Sequence, residues 1–109
     1  MENRKDDRYY LDRLQADLQA ITRHMAGVTE ETFSANELLQ DAVMFRLIQV
    51  SENARKLSDS FRAAQPRVPW SAVYGLRNRI VHDYGTVDLH IVYTTLAKDI
   101  PELVKLLEM

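Results

Sequence analysis

Cysteine is absent from the 109 residues, so a disulfide framework, a thiolate metal site and a cysteine nucleophile are all closed to this chain. Glycine and proline occur only three times each, too seldom to bound the many short strands of a β-rich fold. No apolar run approaches the stretch of about eighteen residues that a membrane span needs. The opening MENRKDDRYY is charged, with no hydrophobic stretch or cleavage site behind it, so a cytoplasmic protein without membrane contact is expected. Neither sign of charge dominates. Fourteen basic and sixteen acidic side chains leave a net charge of −2, which argues against holding nucleic acid by bulk electrostatics.

The sequence has enough apolar content to fold, 46% against 28% charged, and at this length it fits one core, so a single domain over residues 1–109 is expected. Charge is unevenly placed. Residues 36–85 carry seven basic and five acidic side chains, net +2, and the flanks seven and eleven, net −4. The asymmetry is small, and charge on helices usually only solvates them.

Hydrophobic periodicity predicts helix almost throughout. Leu11, Leu14, Leu18, Ile21 and Met25 recur at steps of three and four, one apolar stripe over residues 7–26 that Gly27 should stop. Ser34 and Glu37 have capping-box spacing, which predicts a second, longer helix running to about Ala64 before Pro66. Its stripe is Leu39, Val43, Leu47, Val50, Ala54, Leu57 and Phe61. Met44, Phe45 and Ile48 widen the arc in its first half, as expected of a helix that sits centrally in a bundle and also meets another subunit.

Pro69 and Trp70 should open a third helix carrying Val73, Leu76, Ile80 and Val81 to a stop at Gly85. Gly75 inside it costs roughly 1 kcal/mol relative to alanine and suggests that another backbone or a ligand comes close. A fourth helix is expected from Asp88 through Leu96, and Pro101 marks the first turn of a last short helix holding Leu103, Leu106 and Leu107. The fold class is all-α, a bundle of four to five helices.

With cysteine excluded, histidine is the side chain that titrates intrinsically near neutrality. His24 and His90 read as surface residues near helix ends, and no HExxH or clustered His and carboxylate spacing suggests a metal. His82 keeps different company, in Leu76-Arg77-Asn78-Arg79-Ile80-Val81-His82-Asp83-Tyr84-Gly85. On a helix Asn78 and His82 share a face, while Arg77 and His82 lie about 140° apart. Either the long arginine wraps round, or two copies of the helix meet at a twofold and build a composite cleft. A histidine there can move a proton, and an arginine can fork onto a phosphodiester and stabilise added charge. The matching chemistry is metal-free RNA transesterification, the 2′-hydroxyl attacking the adjacent phosphorus. The plainer reading has the same residues capping the last carbonyls of the helix and pairing with Asp83.

Asp41 to about Leu107 resembles the HepT-like branch of the HEPN superfamily, whose hallmark is Arg, four to six residues, then His, with a polar residue after the Arg. Here these are Arg77, Asn78 and His82. Asp41-Ala42-Val43, Val50-Ser51-Glu52-Asn53-Ala54 with Leu57 and Phe61, Val68-Pro69-Trp70, Gly75-Leu76-Arg77-Asn78 and Val87-Asp88 follow in the expected order. The resemblance implies an up-down HEPN bundle that dimerises through the motif helix and cuts RNA without a metal or other cofactor, with His82 in proton transfer and Arg77 on the phosphate. It also implies a toxin paired with a minimal nucleotidyltransferase antitoxin. Some such partners transfer AMP to a tyrosine two residues after the histidine, here Tyr84, which could equally be a packing aromatic. Tyr9, Tyr10, Tyr74 and Tyr93 lack that spacing and read as core or surface aromatics. A non-catalytic subunit that docks a nucleotidyltransferase is the competing reading.

Overall fold

The computed structural model describes residues 6–82 and 86–107; for Val81, His82 and Thr86 the description covers the backbone alone. The protein is an all-α bundle. Helix α1 (Asp7–Met25) starts where the Asp6 carboxylate accepts from the Tyr9 amide at 3.1 Å, satisfying one of the donors a helix start leaves free. Its expected stripe faces inward, with Leu11, Leu14, Leu18 and Ile21 buried. Gly27, at φ +73°, reverses the chain just past its end.

The second helix departs from its expected bounds at both ends. A Thr29–Thr32 capping box starts a separate short helix, α2 (Glu30–Ser34), that buries Phe33 completely. Ser34 therefore ends a helix instead of starting one. Asn36 caps α3 (Glu37–Arg55) by accepting from the Leu39 amide at 3.0 Å. At the far end Ser58 starts another short helix, α4 (Asp59–Ala63), its hydroxyl accepting from the Phe61 amide. Asp7 of α1 accepts from both the Ser58 amide (2.7 Å) and its hydroxyl (2.6 Å). These bonds to Ser58 hold the Asp7 carboxyl below its ordinary value of 3.8. A serine offered two such partners favours a break over helix continuation.

α3 is the centre of the bundle, packing on α1 and α2 on one side and on α5 (Trp70–Tyr74) and α6 (Leu76–Ile80) on the other. Val43, Leu47, Val50 and Ala54 supply its fully buried stripe. The widened arc is only partly covered: Met44 and Ile48 are half-buried, whereas Leu38 is 81% and Phe45 57% exposed. Between α1 and α3 the buried Asp17 takes Arg46 at 2.8 Å and Asn53 at 3.4 Å.

The predicted third helix is broken twice. Gly75 separates α5 from α6, and no other element crowds it: an added Cβ would meet only the Ser71 and Ala72 carbonyls of its own preceding turn, at 3.5 and 3.7 Å. Of the two approaches expected there, that of another element's backbone does not occur among the described residues. After Ile80 the chain extends, and β1 (Val81–His82) pairs antiparallel with β2 (Thr86–Val87) through Val81↔Val87 and His82↔Thr86. The helix thus stops five residues before Gly85, because a short hairpin pairing takes the backbone that periodicity assigned to helix.

Asp88 accepts from the His90 and Ile91 amides and caps α7 (Leu89–Thr94). A single π-helical turn, Thr95–Asp99, joins α7 to α8 (Ile100–Leu106) without a gap. Pro101 lies in the first turn of α8, as expected. Having no N–H to donate, and a ring that crowds the preceding turn, it explains why the turn before it is wide.

Candidate functional site

The candidate site is built outward from α6. Leu76 and Ile80, four residues apart, are both buried, which leaves Arg77, Asn78 and Arg79 exposed between them. The three polar side chains then part. Arg79 turns toward the π-turn, its Nη2 donating to Asp99 Oδ2 at 2.9 Å. Arg77 and Asn78 instead line a cleft of about 350 Å³ together with Ser51, Glu52 and Arg55 of α3 and Tyr74 of α5.

Several contacts fix the α3 and α5 residues of this cleft. Arg55 Nη2 donates to the Tyr74 carbonyl at 3.4 Å, and its guanidinium lies 5.5 Å from the Tyr74 ring centroid. The hydroxyl of buried Ser51 donates to the same carbonyl at 2.9 Å. Trp70 stacks on Tyr74 at 6.4 Å, and Arg62 approaches the ring at 5.6 Å. The Trp70 indole N–H is itself held by the Arg62 and Gln65 carbonyls. The Tyr74 hydroxyl is buried with no hydrogen-bond partner among the described residues.

Two guanidiniums and one carboxylate therefore share the cleft, a surplus of positive charge on a surface that is acidic overall. Among the described residues neither Arg55 nor Arg77 has a carboxylate within ion-pair distance. Such a wall suits an anion with several acceptor oxygens, since each guanidinium presents a planar fork of donors.

His82 follows Arg77 and Asn78 closely in sequence, but in an extended strand and not on the helix. The expectation that Asn78 and His82 share a helical face, and the 140° separation of Arg77 from His82, both fall with the helix itself. The His82 side chain and the whole of Tyr84 lie outside the described residues. The other two histidines sit at the surface as expected. His24 is exposed in the last turn of α1. His90 Nδ1 meets Glu30 Oε2 at 2.7 Å, a bond that raises the imidazole above its ordinary 6.5 and ties α7 to α2. Among the described residues no group of three or more His, Asp or Glu side chains gathers as for a metal ion.

Ser51, Glu52, Arg55 and Tyr74 are the cleft residues that sequence reasoning did not single out for function. A signal for three of them exists. Arg55 follows Ser51 and Glu52 by four and three residues, the steps that place side chains on one helix face, and Ser51 is polar yet buried. Tyr74 carries no such mark, because its role depends on where α5 docks.

Residues 14–109 match the family model described as ribonuclease HepT-like. A protein of Caldanaerobacter subterraneus subsp. tengcongensis, provisionally named an RNase, is 30% identical over 101 residues, 93% of this chain and 90% of that protein. A longer protein of Methanocaldococcus jannaschii, named a gamma-glutamylcyclotransferase and, provisionally, an RNase, is 31% identical over 92% of this chain, which spans 45% of it. A Thermococcus cleftensis protein carrying the name ribonuclease HepT is 26% identical, with 86% of each chain covered. No solved structure matches the chain.

Proposed function

Because the chain belongs to the HepT-like ribonuclease family, we propose that it is a metal-independent endoribonuclease toxin acting through Arg77, Asn78 and His82. The observation that carries this reading is the presentation of Arg77 and Asn78. Two buried anchors hold them out together on a polar cleft, free of carboxylate partners among the described residues, with His82 four residues after Asn78 in the chain.

In the proposed reaction the ribose 2′-oxygen attacks the adjacent phosphorus and the bond to the 5′-oxygen breaks. The products are a 2′,3′-cyclic phosphate and a free 5′-hydroxyl. The proton leaving the 2′-hydroxyl goes to an unprotonated imidazole, and the departing 5′-oxygen takes one from an imidazolium. A single His82 cannot hold both forms at once, so the chain acts as a homodimer in which the two copies of His82 share one groove. Arg77 forks onto the non-bridging oxygens and stabilises the charge that gathers there, and Asn78 donates a neutral hydrogen bond to the same group.

Control falls to a minimal nucleotidyltransferase antitoxin acting on Tyr84. The tyrosine oxygen attacks the α-phosphorus of ATP, pyrophosphate leaves and the phenolic proton is released, which places an anionic adenylyl group beside the site. That group competes with RNA for Arg77. The exposed Leu38 and Phe45 favour a second reading, a subunit that binds a protein partner without cutting RNA.

The test is cleavage by Arg77→Ala and His82→Ala, each expected to lose about 10²-fold or more of the activity, the scale of positioned acid–base and charge-stabilising groups, while keeping its helical circular dichroism. Products should end in a 2′,3′-cyclic phosphate and form in EDTA. Activity that persists in both variants, or that needs magnesium, refutes the mechanism.

A further inference from the structure

The proposed mechanism leaves Arg55 without a task, although the fold has gone to some length to place it. It sits in the last turn of α3, stacked on the Tyr74 ring and bonded through Nη2 to the Tyr74 carbonyl, which the buried Ser51 hydroxyl also engages. A guanidinium offers five N–H donors in a fixed plane. One is engaged at Tyr74, and no described carboxylate takes any of the others. An exposed arginine ordinarily pays rotamer entropy when it grips a ligand; one already lying on an aromatic face pays less.

We infer that Arg55 holds the phosphate of a nucleotide next to the one attacked, so that the cleft between α3 and α6 is a subsite for a further unit of the RNA strand. The cleft's lining supports this assignment, since Arg77 and Asn78 of α6 share it with Arg55 of α3. A strand held at Arg77 for cleavage continues across a surface whose next cation is Arg55. The cleft's volume of about 350 Å³ also matches the room a small organic ligand needs. Glu52, the one carboxylate in the lining, opposes a second anion only in part, because two guanidiniums outweigh it. Arg55 is a binding residue in this scheme, and Ser51 and Tyr74 are positioning residues that act through it.

The inference takes its substrate from the nuclease reading, so the experiment separates the two. Binding is measured with 2′-O-methyl oligoribonucleotides, which keep the phosphates and lack the attacking hydroxyl, one carrying a single phosphodiester and one carrying four. Arg55→Ala should weaken the longer ligand about 10-fold, as expected for one charge-assisted contact, and leave the shorter within about twofold. The slope of log affinity against log salt should shrink by about 0.7, one phosphate contact on a single strand. Arg55→Lys should restore the salt slope but only part of the affinity, since an ammonium has no fork. Arg55→Gln, which keeps a donor for the Tyr74 carbonyl, serves if the alanine variant fails to fold.

Unchanged affinity and slope overturn the subsite, as does an equal loss for both ligands, which would put Arg55 on the attacked phosphate itself. Loss of binding to an acidic protein partner with RNA binding intact overturns it as well. In cleavage of a long RNA the expected signature is a KM raised about 10-fold with kcat within about twofold, the pattern of binding lost equally from ground and transition states. A chain that binds RNA through Arg55 yet cuts none refutes the nuclease mechanism and leaves the subsite standing. Cleavage by a chain whose RNA binding ignores Arg55 does the reverse.

Discussion

Two arginines on the same helix lead different lives. Arg46, midway along α3, reaches back to the buried Asp17 at 2.8 Å, and Asn53 takes the other carboxylate oxygen. Arg55, at the end of α3, lies on an aromatic ring, bonds a carbonyl and meets no described carboxylate. The first cation is matched inside the protein and fastens α1 to α3. The second is positioned with equal care but left with its charge uncompensated, which suits a ligand from outside. Both are arginines at exposed or half-exposed sites in an acidic chain, so composition alone treats them alike. What divides them is the tertiary partner.

That contrast can be broken by substitution. The largest effect on stability should come from Arg46→Ala, which strands the Asp17 carboxylate in a site only 5% exposed. About 2–3 kcal/mol should be lost, below the full cost of orphaning a buried charge because Arg46 is itself partly in water. Chemical denaturation measures it. Arg55→Ala belongs at the opposite pole, with RNA affinity falling and the denaturation midpoint nearly unchanged. If the two variants exchange these signatures, the division of roles is wrong.

A third cation sharpens the scale. His90 is raised above 6.5 by its bond to Glu30, so the folded state favours the imidazolium. Its contribution is complete below the unfolded value and disappears as pH climbs through the folded one. The melting temperature of the wild type should therefore exceed that of Glu30→Gln at about pH 5.5, and the gap should close by about pH 9. A gap that is constant with pH removes the imidazolium from the account. The smallest effect is expected at Gly75, where the backbone has φ −83° and ψ 0° and an added Cβ makes only ordinary contacts. Gly75→Ala should be neutral or stabilising by about 0.4–1 kcal/mol in thermal melts, since alanine reaches that conformation and narrows the unfolded ensemble.

The apolar skeleton was legible in the sequence because helical period is a local property. Leu11, Leu14, Leu18 and Ile21 face inward as their spacing predicts, and so do Val43, Leu47, Val50 and Ala54. Caps were less legible. Ser34–Glu37 and Thr29–Thr32 offer similar capping chemistry a few residues apart, and burial of Phe33 favours the second. The break at Ser58 depends on Asp7, 51 residues away and outside any helical window, and the strand at His82 depends on a hairpin that pairs it with Thr86, a four-residue spacing that helical periodicity reads as one more turn. The candidate site divides in the same way. Arg77 and Asn78 stand out through a short motif, whereas Arg55 and Tyr74 become neighbours only when α3 and α5 pack together.

One hydroxyl links parts of the chain that are otherwise remote. Ser58 both starts α4 and is gripped by Asp7 in the opening turn of α1, while the end of α3 that carries Arg55 lies just upstream of it. Fraying of the N-terminal turn would release that grip, and the α3–α4 corner would loosen with it. Amide exchange at Ser58 should then track opening at the start of α1, so the opening turn of α1 acts as a latch on the edge of the cleft.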